Sequence, residues 1–392
     1  MSRFGSVLLV TTTAVVCLLA GTTVGHAAMD PGGGPPPPPP PPASSSGQMF
    51  GSSAQAAIQG TVYQFEMLTQ RIREAGAGDE FGLAAMNPGV YRPNAEYDGL
   101  QWAGTGDGSQ PVVRAQNFSV IRGDWDAWFS AYDIGGNVEA TAAADGLDYA
   151  ASGAQLGLYR LLDIDTVFGV FGGYAHQNVD VITASNTGNV DNGQVGMFLR
   201  RSDTCKYWVL VGSVAYDSYY SARTTPTGTA VGDYDGSQAS LYVERGWSLW
   251  GTSVGLEPSI ALQYVWLHQN DFAETGAGVN NLTYTEANTD SLRTIIGARF
   301  KREHSVSWGI LTPELRAHWM HEYLDDTTSV IITAAGPPAT STGVSLGRDW
   351  GMLGGGFTLN IGGDVSLFAN YDLQLNNRTA LHLASGGAQW EW

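Results

Sequence analysis

The sequence predicts an all-β protein: a 12-stranded antiparallel transmembrane β-barrel that follows an N-terminal signal peptide, a Pro-rich spacer and one short α-helix. Three observations predict it. Long runs of alternating apolar and polar residues fill the C-terminal two thirds of the chain, and the connections between these runs are alternately short and long. The composition of the 392 residues, with 51 glycines, 12 tryptophans, 17 tyrosines and only 14% charged residues, is typical of an aromatic-rich β protein.

The N-terminal residues predict export. Residues 1–28 contain one basic residue, Arg3, then an apolar run over residues 7–20 and small residues at Ala27 and Ala28, which is the pattern of a secretory signal peptide. No later segment has 18 consecutive apolar residues, so we expect no transmembrane helix. Residues 29–52 form a Gly/Pro/Ser-rich spacer whose consecutive prolines at 35–42 favour stiff polyproline II.

One segment has helical periodicity. Ile58, Val62, Phe65 and Ile72 recur at mostly helical spacings, which predicts an amphipathic helix over residues 53–75. Two interpretations of this helix stay open: it packs in a small N-terminal subdomain or on a partner, or it plugs or threads the barrel. Residues 76–116 show no periodicity and are expected to be an irregular connector.

Residues 117–392 contain twelve runs with strand periodicity. In the run over residues 253–272, for example, Leu262 falls on the apolar face and Gln263 on the polar face. The last run alternates up to Trp390 and Trp392, which suits a final strand that pairs with the first one and closes the sheet. The predicted strands cover residues 125–139, 147–161, 166–181, 190–201, 206–222, 233–248, 253–272, 290–302, 307–324, 344–359, 365–375 and 379–392.

The connections carry a second signal. Those predicted to be short cover residues 163–165, 202–205, 249–252, 303–306 and 360–364, whereas those predicted to be long and polar cover residues 183–189, 223–234, 274–289 and 325–343. Outer-membrane barrels have this asymmetry, with short periplasmic turns and longer outside loops.

The polar faces of the strands place seven charged residues toward the interior of the barrel. Both signs are present, so we expect these charges mostly to satisfy one another, or a plug, within a water-filled lumen. They are Glu244, Glu257, Arg293, Arg299, Glu314, Arg316 and Glu322.

Other classes of function find little support in the sequence. A net charge of -18 argues against a nucleic-acid partner. His318 and His321 face opposite sides of a strand, so they do not form a metal site, and no pair of neighbouring strands aligns a Ser, His and Asp. No glycine-rich phosphate loop is present either, so we expect no catalytic, cofactor or metal site. Cys205, which remains alone after signal removal, is expected to be a turn residue.

Residues 117–392 resemble the translocator (β-barrel) domain of classical autotransporters. The resemblance depends on the order and position of several motifs rather than on any single one. These are Asp124-Trp125-Asp126-Ala127-Trp128-Phe129 with Gly135-Gly136, residues 153–157 leading to residues 168–174, Leu311-Thr312-Pro313-Glu314-Leu315-Arg316-Ala317-His318-Trp319, and the closing hairpin with its terminal aromatic residue.

The resemblance implies twelve strands, insertion into the outer membrane of a Gram-negative-type envelope by the barrel-assembly machinery, and a helix through the pore leading to an external N-terminal segment. It implies that Trp390 and Trp392 form the barrel-assembly signal. The expected partners are outer-membrane lipids, the assembly machinery and, through the Pro-rich spacer, the cell wall or periplasm. Two functions remain: a barrel that anchors or translocates a short N-terminal segment, or a small pore or structural barrel whose N-terminal segment stays periplasmic.

Overall fold

The fold is seen in a computed structural model that describes residues 47–74, 125–141, 144–163, 165–182, 186–203, 205–250, 255–334, 336–361 and 365–390. The predicted signal peptide, the spacer as far as residue 46, the connector over residues 76–116 and Trp392 lie outside the described residues.

Twelve long antiparallel strands form the barrel, which confirms the predicted fold class. Each predicted run corresponds to one of them. In chain order they are β1 (Asp126–Val138), β2 (Leu147–Asp163), β3 (Thr166–Val181), β4 (Asn186–Asp203), β5 (Lys206–Thr225), β6 (Gly228–Trp247), β7 (Gly255–Gln269), β8 (Ala287–Lys301), β9 (Gly309–Glu322), β10 (Asp349–Ile361), β11 (Val365–Leu375) and β12 (Thr379–Trp390).

The barrel is closed by pairing between its first and last strands. β1 pairs with β2 on one side and with β12 on the other, in a register that sets Ala127 opposite Trp390. All other neighbours along the sheet are also antiparallel. Closure satisfies the backbone hydrogen-bonding groups of both terminal strands, which a lipid environment requires.

Alternation along the strands separates an apolar outside from a polar inside. On β5 the outward side chains run from Trp208 through Leu210 and Val214 to Tyr216, and these four are 50%, 45%, 58% and 57% exposed. This run covers about 26 Å at roughly 3.3 Å per residue, which is comparable with the apolar band of an outer-membrane barrel. Trp208 and Tyr216 lie at its two edges, where interfacial aromatic residues are expected.

The two ends of the barrel differ. At one, named the short-turn end, β2 and β3 are joined by two residues, as are β4 and β5; β1 begins and β12 ends there. At the other, named the long-connection end, the links after β7 and β9 cover residues 270–286 and 323–348. The prediction of a long loop over residues 223–234 is wrong. β5 extends to Thr225 and β6 begins at Gly228, so the two strands form one extended hairpin.

The two longest connections contain short strands that sequence periodicity missed. These four strands form a second sheet at the long-connection end, here named the cap sheet. Their order in the sheet is Ala339–Thr342, Ser329–Thr333, Thr283–Tyr284 and Phe272–Ala273. Strands of two to five residues are too short to show a period. Their pairing joins segments that are distant in sequence, such as Tyr284 with Ile332.

One helix, α1 (Gln48–Glu74), has 27 residues and lies inside the barrel. It begins at Gln48 rather than at residue 53, because Met49 and Phe50 are buried between the barrel and the cap sheet, and this tertiary packing extends the helix into the predicted spacer. At about 1.5 Å per residue it is roughly 40 Å long. In the part of the chain that the structure describes, no helix is both long and apolar enough to cross a membrane.

Candidate functional site: the occupied pore

Helix α1 is buried on every side rather than on one face. Its apolar residues Ile58 and Leu68 are 0% exposed, and its polar residues Gln59 and Gln64 are 1% exposed. The apolar spacing therefore detected only part of the contact surface, since the polar face of α1 meets the polar inner face of the barrel. Of the two interpretations left open by the sequence, the structure agrees with the second, in which the helix plugs or threads the barrel.

At the long-connection end, the first turn of α1 is held by the barrel and the cap sheet together. The Gln48 side chain donates to the Asp145 carbonyl at 2.7 Å and accepts from the Asp145 N–H at 2.9 Å. The Phe50 ring stacks on Tyr234, Phe272 and Tyr284 at centroid distances of 5.3, 5.9 and 5.6 Å. Two of these rings belong to the cap sheet, so the sheet closes over the start of the helix.

A buried carboxylate holds the cap sheet on the barrel. Glu274 forms an ion pair with Arg223 at the end of β5, and it accepts hydrogen bonds from the Leu282 N–H at 2.8 Å and the Tyr284 hydroxyl at 3.1 Å. Burial, reinforced by the Glu274 carboxylate, raises the pKa of Tyr284 well above its usual value. The phenol therefore stays protonated and continues to donate.

Along its middle turns, α1 makes hydrogen bonds to the barrel wall through side chains. The Gln59 amide donates to Gln374 Oε1 at 3.1 Å, and its oxygen accepts from Arg293 at 3.0 Å. Tyr63 also donates to Gln374, at 3.0 Å, and Thr61 donates to Gln238 at 2.7 Å. These bonds reach β6, β8 and β11, so the helix is fixed from several directions around the pore.

At the short-turn end, a buried ion pair joins the helix to the wall. The guanidinium of Arg73 donates to both oxygens of Glu244, at 2.9 Å from Nε to Oε1 and at 2.6 Å from Nη2 to Oε2. Tyr207 and Tyr242 donate to the same carboxylate at 2.9 and 2.7 Å. The Arg71 guanidinium carbon lies 3.6 Å from the ring centroid of Phe368. A fully hydrogen-bonded carboxylate and a two-pronged arginine give this contact a defined geometry.

Free space beside the helix is small at the level of Phe65. A cavity of about 30 Å³ lies between α1 and the wall, next to Phe65, Glu66, Gln263 and His318. A volume of this size holds about one or two water molecules. Within the described residues, the pore is therefore filled by α1 at this level.

The seven charged residues predicted to line the lumen are between 0% and 8% exposed in the structure. Glu244 and Arg293 contact α1 directly, and Arg293 also pairs with Glu322 at 2.7 Å. The rest form a chain of ion pairs along the wall: Arg299 with Glu257 and with Glu314 at 3.3 Å, and Arg316 with Glu314 at 2.8 Å.

Two further residues of this network were missed by the sequence analysis. Lys301 pairs with Glu257 at 2.9 Å, and Asp372 pairs with Arg316 at 2.8 Å. Both lie on the inward-facing parity of their strands, so the alternation could have identified them.

Trp390, one of the two residues proposed from the sequence as an assembly signal, is half-buried at the end of β12. It is paired with Ala127 of β1 and Val365 of β11. The neighbouring Gln389 faces inward and donates to the Tyr159 hydroxyl at 2.7 Å, so Trp390 lies on the outward face. Trp392 lies outside the described residues.

Comparison with known proteins identifies this arrangement. The model of the autotransporter beta-domain family matches residues 127–372. The chain belongs to this family. Its barrel is an outer-membrane barrel of the autotransporter type, and the family is a secretion domain rather than an enzyme family.

Solved autotransporter barrels share the fold. The translocator domain of NalP from Neisseria meningitidis is 15% identical with a TM-score of 0.57, over 69% of this chain and 91% of that one. The beta domain of the Bordetella autotransporter BrkA is 16% identical with a TM-score of 0.52, over 69% and 100%. The transport unit of AIDA-I from Escherichia coli is 13% identical with a TM-score of 0.51, over 71% and 93%. A search of curated proteins found no match.

Proposed function

We propose that this autotransporter barrel anchors a short N-terminal segment at the cell surface, with α1 as the stalk that passes through and seals the pore. The observation that carries the proposal is the direction of α1. Its first turn lies under the cap sheet at the long-connection end, and Arg73 in its last turn lies at the short-turn end, where β1 also begins. Long connections face outward and short turns face the periplasm in barrels of this class.

This direction favours anchoring over a periplasmic N-terminal segment. In this orientation α1 runs from the outer, long-connection end to the periplasmic, short-turn end. The residues before Gly47, including the proline run, then lie outside the cell. The Pro-rich spacer then acts as a stiff surface extension rather than as a contact with the cell wall or periplasm. Export by the signal peptide at residues 1–28 and a Gram-negative-type envelope are parts of the same proposal.

Protease treatment of intact cells tests the sidedness. An epitope tag inserted among residues 43–46 should be removed by added protease, because the proposal places it outside. The same tag inserted among residues 76–116 is the matched control and should be protected, because the two elements that flank this segment, the last turn of α1 and the start of β1, both lie at the short-turn end. If the tag among residues 43–46 is protected and the tag among residues 76–116 is cleaved, the orientation is the opposite of the one proposed.

The proposal includes recognition of the last strand by the barrel-assembly machinery through Trp390 and Trp392. Deleting residues 390–392 removes the Trp390 pairs with Ala127 and Val365 and should abolish insertion. Glu391→Gln, on the opposite parity, should be nearly silent. Membrane-fraction abundance measures both variants, and insertion of the truncated chain at the parental level would refute the assignment.

A further inference from the structure

Three cations point outward on adjacent strands near the short-turn end. They are Arg201 on β4, Lys206 on β5 and Arg245 on β6; Arg201 and Lys206 are exposed and Arg245 is half-buried. The chain as a whole carries a net charge of -18, so an outward group of basic residues is an exception to the acidic composition of this protein. By contrast, Arg293, Arg299 and Arg316 point inward and are paired with carboxylates.

Two of these cations flank an exposed tryptophan. Arg201, Trp208 and Arg245 are cross-strand neighbours in one row, which covers about 10 Å across two strand spacings. The Arg245 guanidinium carbon lies 4.6 Å from the ring centroid of Trp208 and 5.9 Å from that of Trp247. Stacking on indole rings orients the guanidinium and leaves its N–H groups along the edge free to donate.

The row lies where the apolar band ends. One step toward the middle of the barrel, the outward neighbours are Leu199, Leu210 and Val243. One step toward the turn, the outward neighbours are Asp203, Lys206 and Trp247. Asp203 lies directly opposite Lys206, so the charges of these two residues offset each other. The two arginines of the central row therefore add positive charge at interfacial depth. Asp163, which lies beyond Thr166 in the same row, offsets part of the Arg201 charge, so Arg245 supplies most of the net positive charge.

We propose that Arg201, Trp208 and Arg245 form a binding site for the phosphate group of an anionic phospholipid. Arginine donates to phosphate in a two-pronged geometry, and the indole of Trp208 suits the headgroup level of a bilayer. The acyl chains of the same lipid lie along Leu199 and Leu210, which are 38% and 45% exposed. The site requires insertion of the barrel but not the proposed direction of α1, so its failure is distinguishable from failure of the proposed function.

Native mass spectrometry of the full chain in detergent tests the site. Phosphatidylglycerol should be retained in preference to phosphatidylcholine with the same acyl chains. In the Arg201→Gln/Arg245→Gln variant, the affinity for phosphatidylglycerol should fall by about 30-fold, because each basic residue near an anionic lipid contributes roughly a factor of five. Arg201→Lys/Arg245→Lys, which keeps the charge but loses the two-pronged geometry, should show an intermediate loss.

The matched control is Arg348→Gln/Arg378→Gln, which removes two exposed cations at the long-connection end and should leave retention unchanged. Every variant is first shown to migrate as a folded barrel in unboiled gel samples. Equal losses in the two glutamine double variants, or equal retention of the two lipids by the parent, would overturn the proposal.

Discussion

At the residue scale, the barrel depends on which face of a strand a side chain occupies. Leu262 on β7 is 48% exposed on the outside and Gln263 beside it is 1% exposed on the inside. The sequence alternation predicted both orientations, because period two leaves only two choices and the apolar set must face lipid. What it did not show is that Gln263 is covered by a helix.

Leu262→Arg should destabilise the barrel, because it places a charge in the apolar band at a cost of about 2–4 kcal/mol near the midplane. The control is Thr187→Arg, also outward and exposed but at the long-connection end of β4, where the outward face is polar. Urea unfolding of the refolded barrel in lipid vesicles measures both. Equal loss of stability in the two variants would mean that the apolar band is wrongly placed.

The Arg73–Glu244 pair offers a second test at this scale, since the two side chains are only 7% and 0% exposed. Glu244→Gln leaves a buried arginine without its counter-charge, which costs about 3–5 kcal/mol. We expect α1 to detach more often and open-channel events in planar bilayers to become more frequent.

The double variant Arg73→Met/Glu244→Met removes both charges and should return most of the way to the parent, because no unpaired charge is left buried. If Glu244→Gln conducts as rarely as the parent, the ion pair does not hold the helix.

At the element scale, α1 shows where sequence reasoning stopped. The twelve strands follow from local alternation, but the position of the helix is decided by contacts across more than 300 residues, such as Gln59 with Gln374. Glutamines on the polar face of a helix serve equally in solvent and in a polar lumen, so their presence does not show which of the two surrounds the helix. The cap sheet was missed for a related reason. Phe272 and Tyr284 stack on each other at 4.4 Å and each contacts the Phe50 ring, and these contacts exist only in the folded chain.

Two glycines of α1 give an element-scale prediction. A Cβ at position 51 would lie 2.5 Å from the Thr328 carbonyl oxygen and 2.6 Å from the Gly343 nitrogen, whereas at position 60 it would lie 2.5 Å from the side-chain nitrogen of Gln177. The backbone atoms near position 51 cannot move away from an added Cβ as easily as the flexible Gln177 side chain near position 60 can. Gly51→Ala should therefore displace the first turn of α1 from the cap sheet, and Gly60→Ala should be tolerated.

Both substitutions raise intrinsic helix propensity by about 1 kcal/mol, so propensity does not separate them. Protease sensitivity at the start of α1 in the purified barrel measures the difference. Equal resistance of the two variants would contradict the close packing described at Gly51.

At the scale of the whole molecule, the barrel and the helix form one closed unit. The lumen is polar and would carry water if empty, yet α1 fills it from the cap sheet to the Arg73–Glu244 pair. The proposed function therefore gives the helix two tasks: it connects the barrel to the N-terminal segment, and it prevents leakage through the membrane.

Single-channel recording in planar bilayers tests this account most directly, with the chain over residues 29–392 compared with a variant that also lacks residues 47–74. The whole chain should stay closed for most of the recording, and the deletion variant, once shown to be heat-modifiable and therefore folded, should conduct steadily. Equal conductance of the two folded proteins would contradict the central claim that α1 occupies and seals the pore.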